Sequence, residues 1–326
     1  VALAEEIGRF GYNVDVRNWD DRISRLKNRY DLVIDIHPGL NDTYRERLNP
    51  GYCRIAYMTG MNTRVSNQNE QIRLDEVTKR RGISLPAERI SKLLDRDIEN
   101  FDAFFCIGNS YNLESYDEFL LPPVYFIKNT GYTFPFTINT ENKNPKNFLF
   151  FASSGQVHKG LDLLLEIFSK KGFPFELYVC SNFESEEVFC EVYKKELFST
   201  SNIHPVGFID IMSEKFREIA EICSFALLPS CSEARAGSVL TVMSAGIIPI
   251  VSRECGFEDD EVIQLRDCKL ETIEEAIRYF GEKNDTWIER ESNHVRHIVK
   301  ERYSKENFVQ SVHNALQKVI GKNDVA

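Results

Sequence analysis

Short apolar runs alternate with helix-like patterns along most of this chain, and the clearest example lies in its last third. Residues 225–228 and 247–251 are both apolar, and the second run is rich in β-branched side chains. Runs of this length are typical of strands that are covered on both faces. A helix packed against the sheet is predicted between them at 238–245, because three apolar residues share one of its sides: Val239, Val242 and Met243.

A second region has the same arrangement. Residues 147–153 are predicted to form a strand, 154–160 a loop and 161–168 an amphipathic helix. The apolar positions of that helix recur every three or four residues, at Leu161, Leu164, Leu165 and Phe168. Lys159 is therefore expected where the strand leads into the helix.

The N-terminal half shows a similar alternation, with apolar runs at 31–38, 54–60, 103–108 and 124–129. Strands separated by helices predict a parallel α/β fold. The chain has 326 residues, which exceeds the size of most single cores, so two domains are expected. Ligands of parallel sheets gather at the carboxyl ends of the strands, which makes Thr59, Gly60 and Asn62 candidates for a cleft between the domains.

The first residues do not follow this alternation. Residues 1–10 are predicted to form a helix that ends at Gly11, and residues 12–16 alternate as in a strand. A doubly wound domain should begin with a strand, so we expect the first strand of this domain to be missing from the sequence.

The domain boundaries follow from composition. A polar segment with two prolines, 135–146, is predicted to link an N-terminal domain of residues 1–134 to a C-terminal domain of residues 147–302. Ser304 is expected to cap a last helix within 303–320. The apolar face of that helix contains Phe308, Val312, Ala315, Leu316 and Val319.

Residues 64–100 form a charged, helix-prone insertion in the first domain. The ordinary interpretation of such a charge run is a solvated helical surface. In the alternative hypothesis, Arg64 and Arg73 turn toward the cleft and bind an anion.

The loop before the predicted helix at 238–245 consists largely of small residues. They would let a ligand approach the backbone, and the helix would direct its free N–H groups toward that ligand. Such a helix end attracts phosphate. A helix cap at an ordinary strand-to-helix turn is the alternative. The small residues are Ser230, Ser232, Ala234, Ala236, Gly237 and Ser238.

A family resemblance is carried by three stretches: FFASSGQVHKGLDLLLEIF at 150–168, HPVGFID at 204–210 and LLPSCSEARAGSVLTVMSAGIIPIVS at 227–252. In their order and spacing they resemble the nucleotide-sugar-binding half of retaining, GT-B-fold glycosyltransferases of the glycosyl transferases group 1 family. The resemblance implies an α/β fold of two Rossmann-like, doubly wound domains that face each other across a cleft. It also implies sugar transfer from a nucleotide-sugar donor to an acceptor hydroxyl with retention, and a terminal helix that packs back on the first domain.

The resemblance implies roles for the residues that match. Lys159 would hold the donor diphosphate and Glu233 would contact the transferred sugar, and these two are the expected catalytic residues. The amides of Gly237 and Ser238 would receive phosphate at the helix end.

Two further donor-side candidates are Gly207, in the loop expected near the nucleobase, and His158, next to Lys159. His37 follows an apolar run and is an acceptor-side candidate, together with the three residues at 59–62. The histidines lack metal-ligand spacing, so no metal and no permanently bound cofactor are expected.

The chain also departs from the family pattern. Thr241 stands where the family has a second glutamate that grips the ribose. Ser153 and Ser154 stand in place of a glycine and an arginine, so one positive charge for the diphosphate is missing. Arg235 lies at the expected edge of the pocket and is hypothesised to replace that arginine. Arg64 and Arg73 are the alternative source of charge for an anionic acceptor or for the diphosphate.

Net charge, cysteine spacing and the length of the apolar runs argue against several classes of protein. The formal net charge of −10 argues against nonspecific nucleic-acid binding, and eight cysteines without a CxxC pair fit reduced core thiols. No apolar run is long enough for a membrane helix and no secretory signal is visible, which predicts a cytoplasmic protein. The expected acceptor is a glycan, a lipid-linked molecule or a small molecule, and peripheral association with the inner face of the membrane is compatible with this.

Two other functions stay open at this point. The chain could be a glycosyltransferase-like binding or scaffold protein that has lost efficient chemistry, for which Thr241 and Ser154 argue. It could also be another GT-B enzyme, such as a nucleotide-sugar epimerase, although the pattern at 230–246 fits transferases better.

Overall fold

The computed structural model describes residues 1–17, 28–36, 45–92, 95 and 98–321, which form two parallel α/β units. The N-terminal unit contains, in chain order, α1 (Ala2–Arg9), β1 (Tyr30–Asp35), β2 (Leu48–Met58), α2 (Thr63–Arg81), β3 (Ala103–Cys106), α3 (Ser110–Glu114) and β4 (Val124–Phe126). Its sheet has the order β1-β2-β3-β4 with all strands parallel. The four apolar runs predicted as strands in this half are confirmed, although the end of the first run lies outside the described residues.

The alternating segment 12–16 was expected to be a strand, and this prediction is wrong. Residues 12–17 have no regular structure, and Val14 and Val16 are exposed. A strand pattern becomes a strand only when a neighbouring strand satisfies its backbone, and no described strand lies beside this segment.

The C-terminal unit contains fifteen α-helices and strands within the described residues: β5 (Asn144–Phe151), α4 (Gln156–Lys159), α5 (Leu161–Phe168), β6 (Glu176–Cys180), α6 (Glu187–Val192), α7 (Lys194–Ser199), β7 (Ile203–Pro205), α8 (Glu214–Ile222), β8 (Cys223–Leu228), α9 (Gly237–Ser244), β9 (Ile248–Val251), β10 (Ile263–Gln264), α10 (Leu270–Phe280), α11 (Asp285–Arg302) and α12 (Lys305–Ile320). The strand and helix predictions around β5, β8, α9 and β9 are confirmed. β5 begins inside the segment expected to be a linker.

The order of the second sheet fixes where a ligand can bind. It is β10-β9-β8-β5-β6-β7, and every pair is parallel. From β5 the chain winds outward to β6 and β7, and then returns to form β8 on the other side of β5. The chain therefore leaves β5 and β8 toward opposite edges of the sheet, and the place between the loops after these strands is the topological switch point, where open α/β sheets bind ligands.

The predicted loop 154–160 contains the single helical turn α4. Gly160 ends that turn with a φ of +82°, and α5 begins at the next residue. A Cβ atom at Gly160 would lie 2.6 Å from the carbonyl oxygen of Pro229. Glycine therefore lets the loops after β5 and β8 touch.

The last helix, α12, packs on the N-terminal unit. Ser304 Oγ accepts a hydrogen bond from the amide of Asn307 and so caps the helix, as predicted. Val312 and Leu316 are fully buried in one cluster with Ile55 of β2 and Ile7 of α1.

α2 connects the two units. Its residues Leu74 and Val77 are buried in the core of the C-terminal unit. On the same helix, Arg80 forms ion pairs with Asp162 at 2.5 Å and with Glu166 at 3.0 Å. The interpretation of 64–100 as a solvated helical surface is therefore wrong for this face of α2, because the apolar residues between the charges are buried in the core of the C-terminal unit. After Arg81 the helix ends, so only part of the charged insertion is helical.

All eight cysteines are free thiols, and six of them are buried. This agrees with the prediction of reduced core thiols.

Candidate functional site

The candidate site lies at the switch point of the second sheet, between the loops that follow β5 and β8. The Lys159 ammonium, at the end of α4, forms a short ion pair with the carboxylate of Glu233 in the other loop. Ser230 Oγ donates a second hydrogen bond to the same carboxylate oxygen, at 2.9 Å. The structure thus brings together the two residues expected to be catalytic, 74 positions apart in the chain.

Both side chains of this pair are largely buried, with 8% of Lys159 and 14% of Glu233 exposed. Burial acts to raise the pKa of the Glu233 carboxyl, but Lys159, His158 and Ser230 together outweigh it, so the pKa lies below its ordinary value. Glu233 is therefore a carboxylate at neutral pH.

The N-terminus of α9 opens at the same place. The capping residue, Ala236, has no side chain that could accept a hydrogen bond, and the first intrahelical bonds run from Val239 and Leu240 to its carbonyl. The N–H groups of Gly237 and Ser238 precede these bonds, and Gly237 is exposed. A helix end of this kind can receive an anion.

The residues that depart from the family pattern are neutral or engaged elsewhere. Thr241 is buried, and its hydroxyl donates to the carbonyl of Gly237 at 2.9 Å, within its own helix. Ser153 is exposed and Ser154 half-buried in the loop after β5. The guanidinium of Arg235 binds Glu261, Tyr303 and the carbonyl of Gly108. In this structure the hydrogen bonds of Arg235 thus go to other groups. Binding of the diphosphate by Arg235 stays a prediction.

His158 is a buried bridge between the units. Its Nε2 lies 2.7 Å from the carbonyl oxygen of Ser232, and its Nδ1 lies 3.3 Å from Oε2 of Glu70 on α2. Burial acts to raise the pKa of Glu70, but His158 and the amides of Glu88 and Arg89 outweigh it and lower this pKa. His158 supports the loop that carries Lys159.

The segment expected on the acceptor side contacts the same loop. The amide of Met61 donates to the carbonyl of Glu233 at 3.1 Å. Next to it, Thr59 is exposed and Gly60 accepts a hydrogen bond from Tyr116. Asn62 is buried and caps α2 with its side-chain oxygen. The segment that contains the cleft candidates at 59–62 thus contacts the backbone of Glu233 through Met61.

The two arginines expected to face the cleft, Arg73 and Arg64, differ in burial and in the partners that they bind. Arg73 is buried and donates to the carbonyl of Pro229 at 2.7 Å, so it reaches the loop after β8. Arg64 is exposed and forms an ion pair with Glu118 at 2.8 Å. His37 lies outside the described residues.

Gly207 lies in the loop after β7, as expected, with a φ of +82°. The neighbouring Phe208 is 74% exposed. This loop stands two strands away from β5 in the sheet, on the side opposite Glu233.

Several residues at the site were not found by reasoning from the sequence. Glu186 accepts hydrogen bonds from the amides of Gly155 and Gln156 at 2.5 and 3.1 Å and so fixes the loop after β5. Ser230 was noted only as a small residue. Glu70 stood within the charged insertion, and its helical spacing to the apolar residue Leu74 was the signal that could have placed it on a buried face.

Comparison of the whole sequence with protein families and with curated proteins finds no match. Solved structures do match. The pneumococcal O-GlcNAc transferase GtfA, in complex with UDP and GlcNAc, is 13% identical with a TM-score of 0.61, over 90% of this chain and 57% of that one. Sucrose-phosphate synthase from Thermosynechococcus elongatus is 13% identical with a TM-score of 0.60, over 86% and 70%. HepE from Anabaena, in complex with UDP-glucose, is 10% identical with a TM-score of 0.54, over 82% and 72%.

This chain has the GT-B fold. The prediction of two parallel α/β units of this fold is thereby confirmed. At sequence identities of 10–13%, the similarity to these structures shows the fold alone. The chain spans about half the length of S. aureus TarM, another structure that it matches with a TM-score of 0.56.

Across the residues that the structure describes, no three His, Cys, Asp or Glu side chains group as metal ligands would. Of the helices in this part of the chain, none is both long and apolar enough to cross a membrane.

Proposed function

We propose that this GT-B chain is a glycosyltransferase that moves a sugar from a nucleotide-sugar donor to an acceptor hydroxyl with retention. The observation that carries the proposal is the pairing of Lys159 with Glu233 at the switch point, next to the N-terminus of α9. The matched GtfA and HepE structures contain UDP with GlcNAc and UDP-glucose, which supports a nucleotide sugar as the donor class.

The geometry gives each group a task. In the complex, Lys159 would pair with the diphosphate instead of with Glu233. The phosphate oxygens would accept hydrogen bonds from the N–H groups of Gly237 and Ser238. Negative charge develops on the leaving diphosphate during transfer, and these fixed positive groups would stabilise it. Glu233 would then face the sugar, and its pKa, lowered mainly by Lys159 against burial, keeps it able to accept hydrogen bonds from sugar hydroxyls.

The acceptor side would be formed by the N-terminal unit. Thr59, Gly60 and Asn62 flank Met61, whose amide donates to the carbonyl of Glu233, so an acceptor hydroxyl entering there would meet the sugar. The acceptor proposed is a glycan, a lipid-linked molecule or a small molecule, and the location proposed is the cytoplasm or the inner face of the membrane.

The test compares nucleotide release by the intact chain with UDP-, GDP- and ADP-sugars, in the presence of an acceptor panel. We expect Lys159→Ala and Glu233→Gln each to lower turnover by about a hundredfold or more, because each removes a group at the reacting centre. Lys170→Ala is the matched control, since Lys170 is a surface lysine paired with Glu274. Normal turnover in both site variants would refute the proposed site.

A second candidate is a binding or scaffold protein with the same fold. It is favoured by Thr241, whose hydroxyl is used within α9, and by the neutral Ser154. Binding of a nucleotide sugar to the wild-type chain without turnover on any acceptor would support this alternative.

A further inference from the structure

The candidate donor site as described so far has less positive charge than a diphosphate needs. Lys159 is already paired with Glu233, and the carboxylate of Glu186 lies on the amides of Gly155 and Gln156. Between β5 and α4, the polar side chains are those of the uncharged Ser153 and Ser154. A nucleotide sugar carries two negative phosphate charges, so a further cation is needed if the proposed function holds.

Arg89, in the segment after α2, lies directly on this loop. A Cβ atom at Gly155 would stand 2.5 Å from Cγ and 2.9 Å from Cδ of Arg89. Gly155 has a φ of +86° and lies one helical turn before Lys159, whose amide donates to its carbonyl at 2.8 Å. The glycine thus makes room for the arginine stem on the turn that carries the lysine.

The backbone of Arg89 is fixed relative to that turn. Oε1 of Glu70 accepts hydrogen bonds from the amides of Glu88 and Arg89, at 2.9 and 2.8 Å. The other oxygen of the same carboxylate lies 3.3 Å from Nδ1 of His158, the residue before Lys159. Because Glu70 is buried, it positions Arg89 and the lysine turn together.

The guanidinium of Arg89 is available for a ligand. Arg89 is exposed, and its side chain has no hydrogen bond or ion pair with any residue that the structure describes. The four arginines of α2, by contrast, are all engaged: Arg64 with Glu118, Arg73 with Pro229, Arg80 with Asp162 and Glu166, and Arg81 with Glu166 and Glu196.

We propose that Arg89 binds the phosphate oxygens of the donor and supplies, from the N-terminal unit, the positive charge that residues 153 and 154 lack. This inference rests on the proposed function. A planar guanidinium can bind two phosphate oxygens at once, which a single ammonium cannot do in the same geometry. The donor then touches both units, so its binding holds the N-terminal segment after α2 against the loop after β5.

The experiment measures the affinity of the intact chain for UDP, GDP and ADP, and for the corresponding nucleosides, by calorimetry. Loss of a charge-assisted contact predicts that Arg89→Ala weakens diphosphate binding roughly tenfold to a hundredfold. Nucleoside binding should not change, because Arg89 contacts phosphate only. Lys92→Ala is the matched control, since it removes an exposed positive charge from the same segment and should leave both affinities unchanged.

A second variant tests position rather than net charge. Ser154→Arg in the Arg89→Ala background returns a guanidinium to the same loop and should restore much of the lost diphosphate affinity. Equal diphosphate affinities for Arg89→Ala and Lys92→Ala, in a chain whose wild type binds a nucleoside diphosphate, would overturn this inference alone. The inference would also be overturned if Arg89→Ala weakened nucleoside binding as much as diphosphate binding. A wild-type chain that binds none of the three diphosphates would overturn the proposed function as well.

Discussion

At the residue scale, the site depends on how closely two loops approach. Gly160 lets the turn that carries Lys159 touch the loop that carries Glu233, because a side chain at this position would meet the carbonyl of Pro229. The sequence placed Lys159 and Glu233 in loops after strands, and the resemblance gave them their roles. Their ion pair could not be predicted, since it depends on which strands are neighbours in the sheet.

Substitution of Gly160 tests this approach. Gly160→Ala should destabilise the protein by about 2–4 kcal/mol, since it combines the cost of a left-handed backbone with a clash against Pro229. Gly172→Ala is the matched control: its φ is +73°, but a Cβ atom there meets nothing within 4 Å, so about 1–2 kcal/mol is expected. Chemical denaturation measures both. Equal losses in the two variants would show that the close approach costs nothing.

At the scale of elements, the start of β5 is tied to the end of α8 by a buried lysine. Lys143 Nζ donates to the carbonyls of Ala220 and Cys223, both at 2.8 Å. These carbonyls end a helix and would otherwise be buried without a partner. The sequence predicted a linker here, because the polar residues around the two prolines gave no sign that one lysine turns inward.

This lysine predicts a dependence of stability on pH. Burial lowers the pKa of Lys143 to about 7, from an ordinary value of 10.5. Between these values the unfolded chain binds more protons than the folded one, so the contribution of Lys143 to the free energy of unfolding rises with pH. Relative to Lys143→Met, which does not titrate, the wild type should gain stability from about pH 7 upward, as urea denaturation would show. A difference that stays constant from pH 7 to 10 would contradict this.

At the scale of the whole molecule, α2 makes the two units depend on each other. The helix leaves the first sheet but buries Leu74 and Val77 in the core of the second unit. The charge run that contains it was interpreted as solvated, and that interpretation failed because the partner of this face lies far away in the chain. α12 makes the reverse crossing, from the C-terminal unit to the first sheet.

The coupling of the two units can be measured by a substitution in α2 and hydrogen exchange in the second sheet. Leu74→Ala should destabilise the protein by about 2–5 kcal/mol and should speed hydrogen exchange at the amides of β8, because the cavity lies in the core that β8 shares. Leu120→Ala, at an 84% exposed leucine of the N-terminal unit, is the control and should change neither. Unchanged exchange in β8 for Leu74→Ala would mean that α2 opens independently of the second unit.

The sequence by itself determined the alternation of strands and helices. It also predicted the end of α9 as a place for an anion, and the resemblance that it carries named the two residues expected to do the chemistry. These follow from local periodicity and from motifs within a few dozen residues. The tertiary structure decided the order of the strands, the pairing of Lys159 with Glu233, the engagement of Arg235 by Glu261, and the placement of Arg89 on Gly155. Each of these depends on contacts between residues distant in the chain, and no local pattern encodes which distant partner a side chain meets.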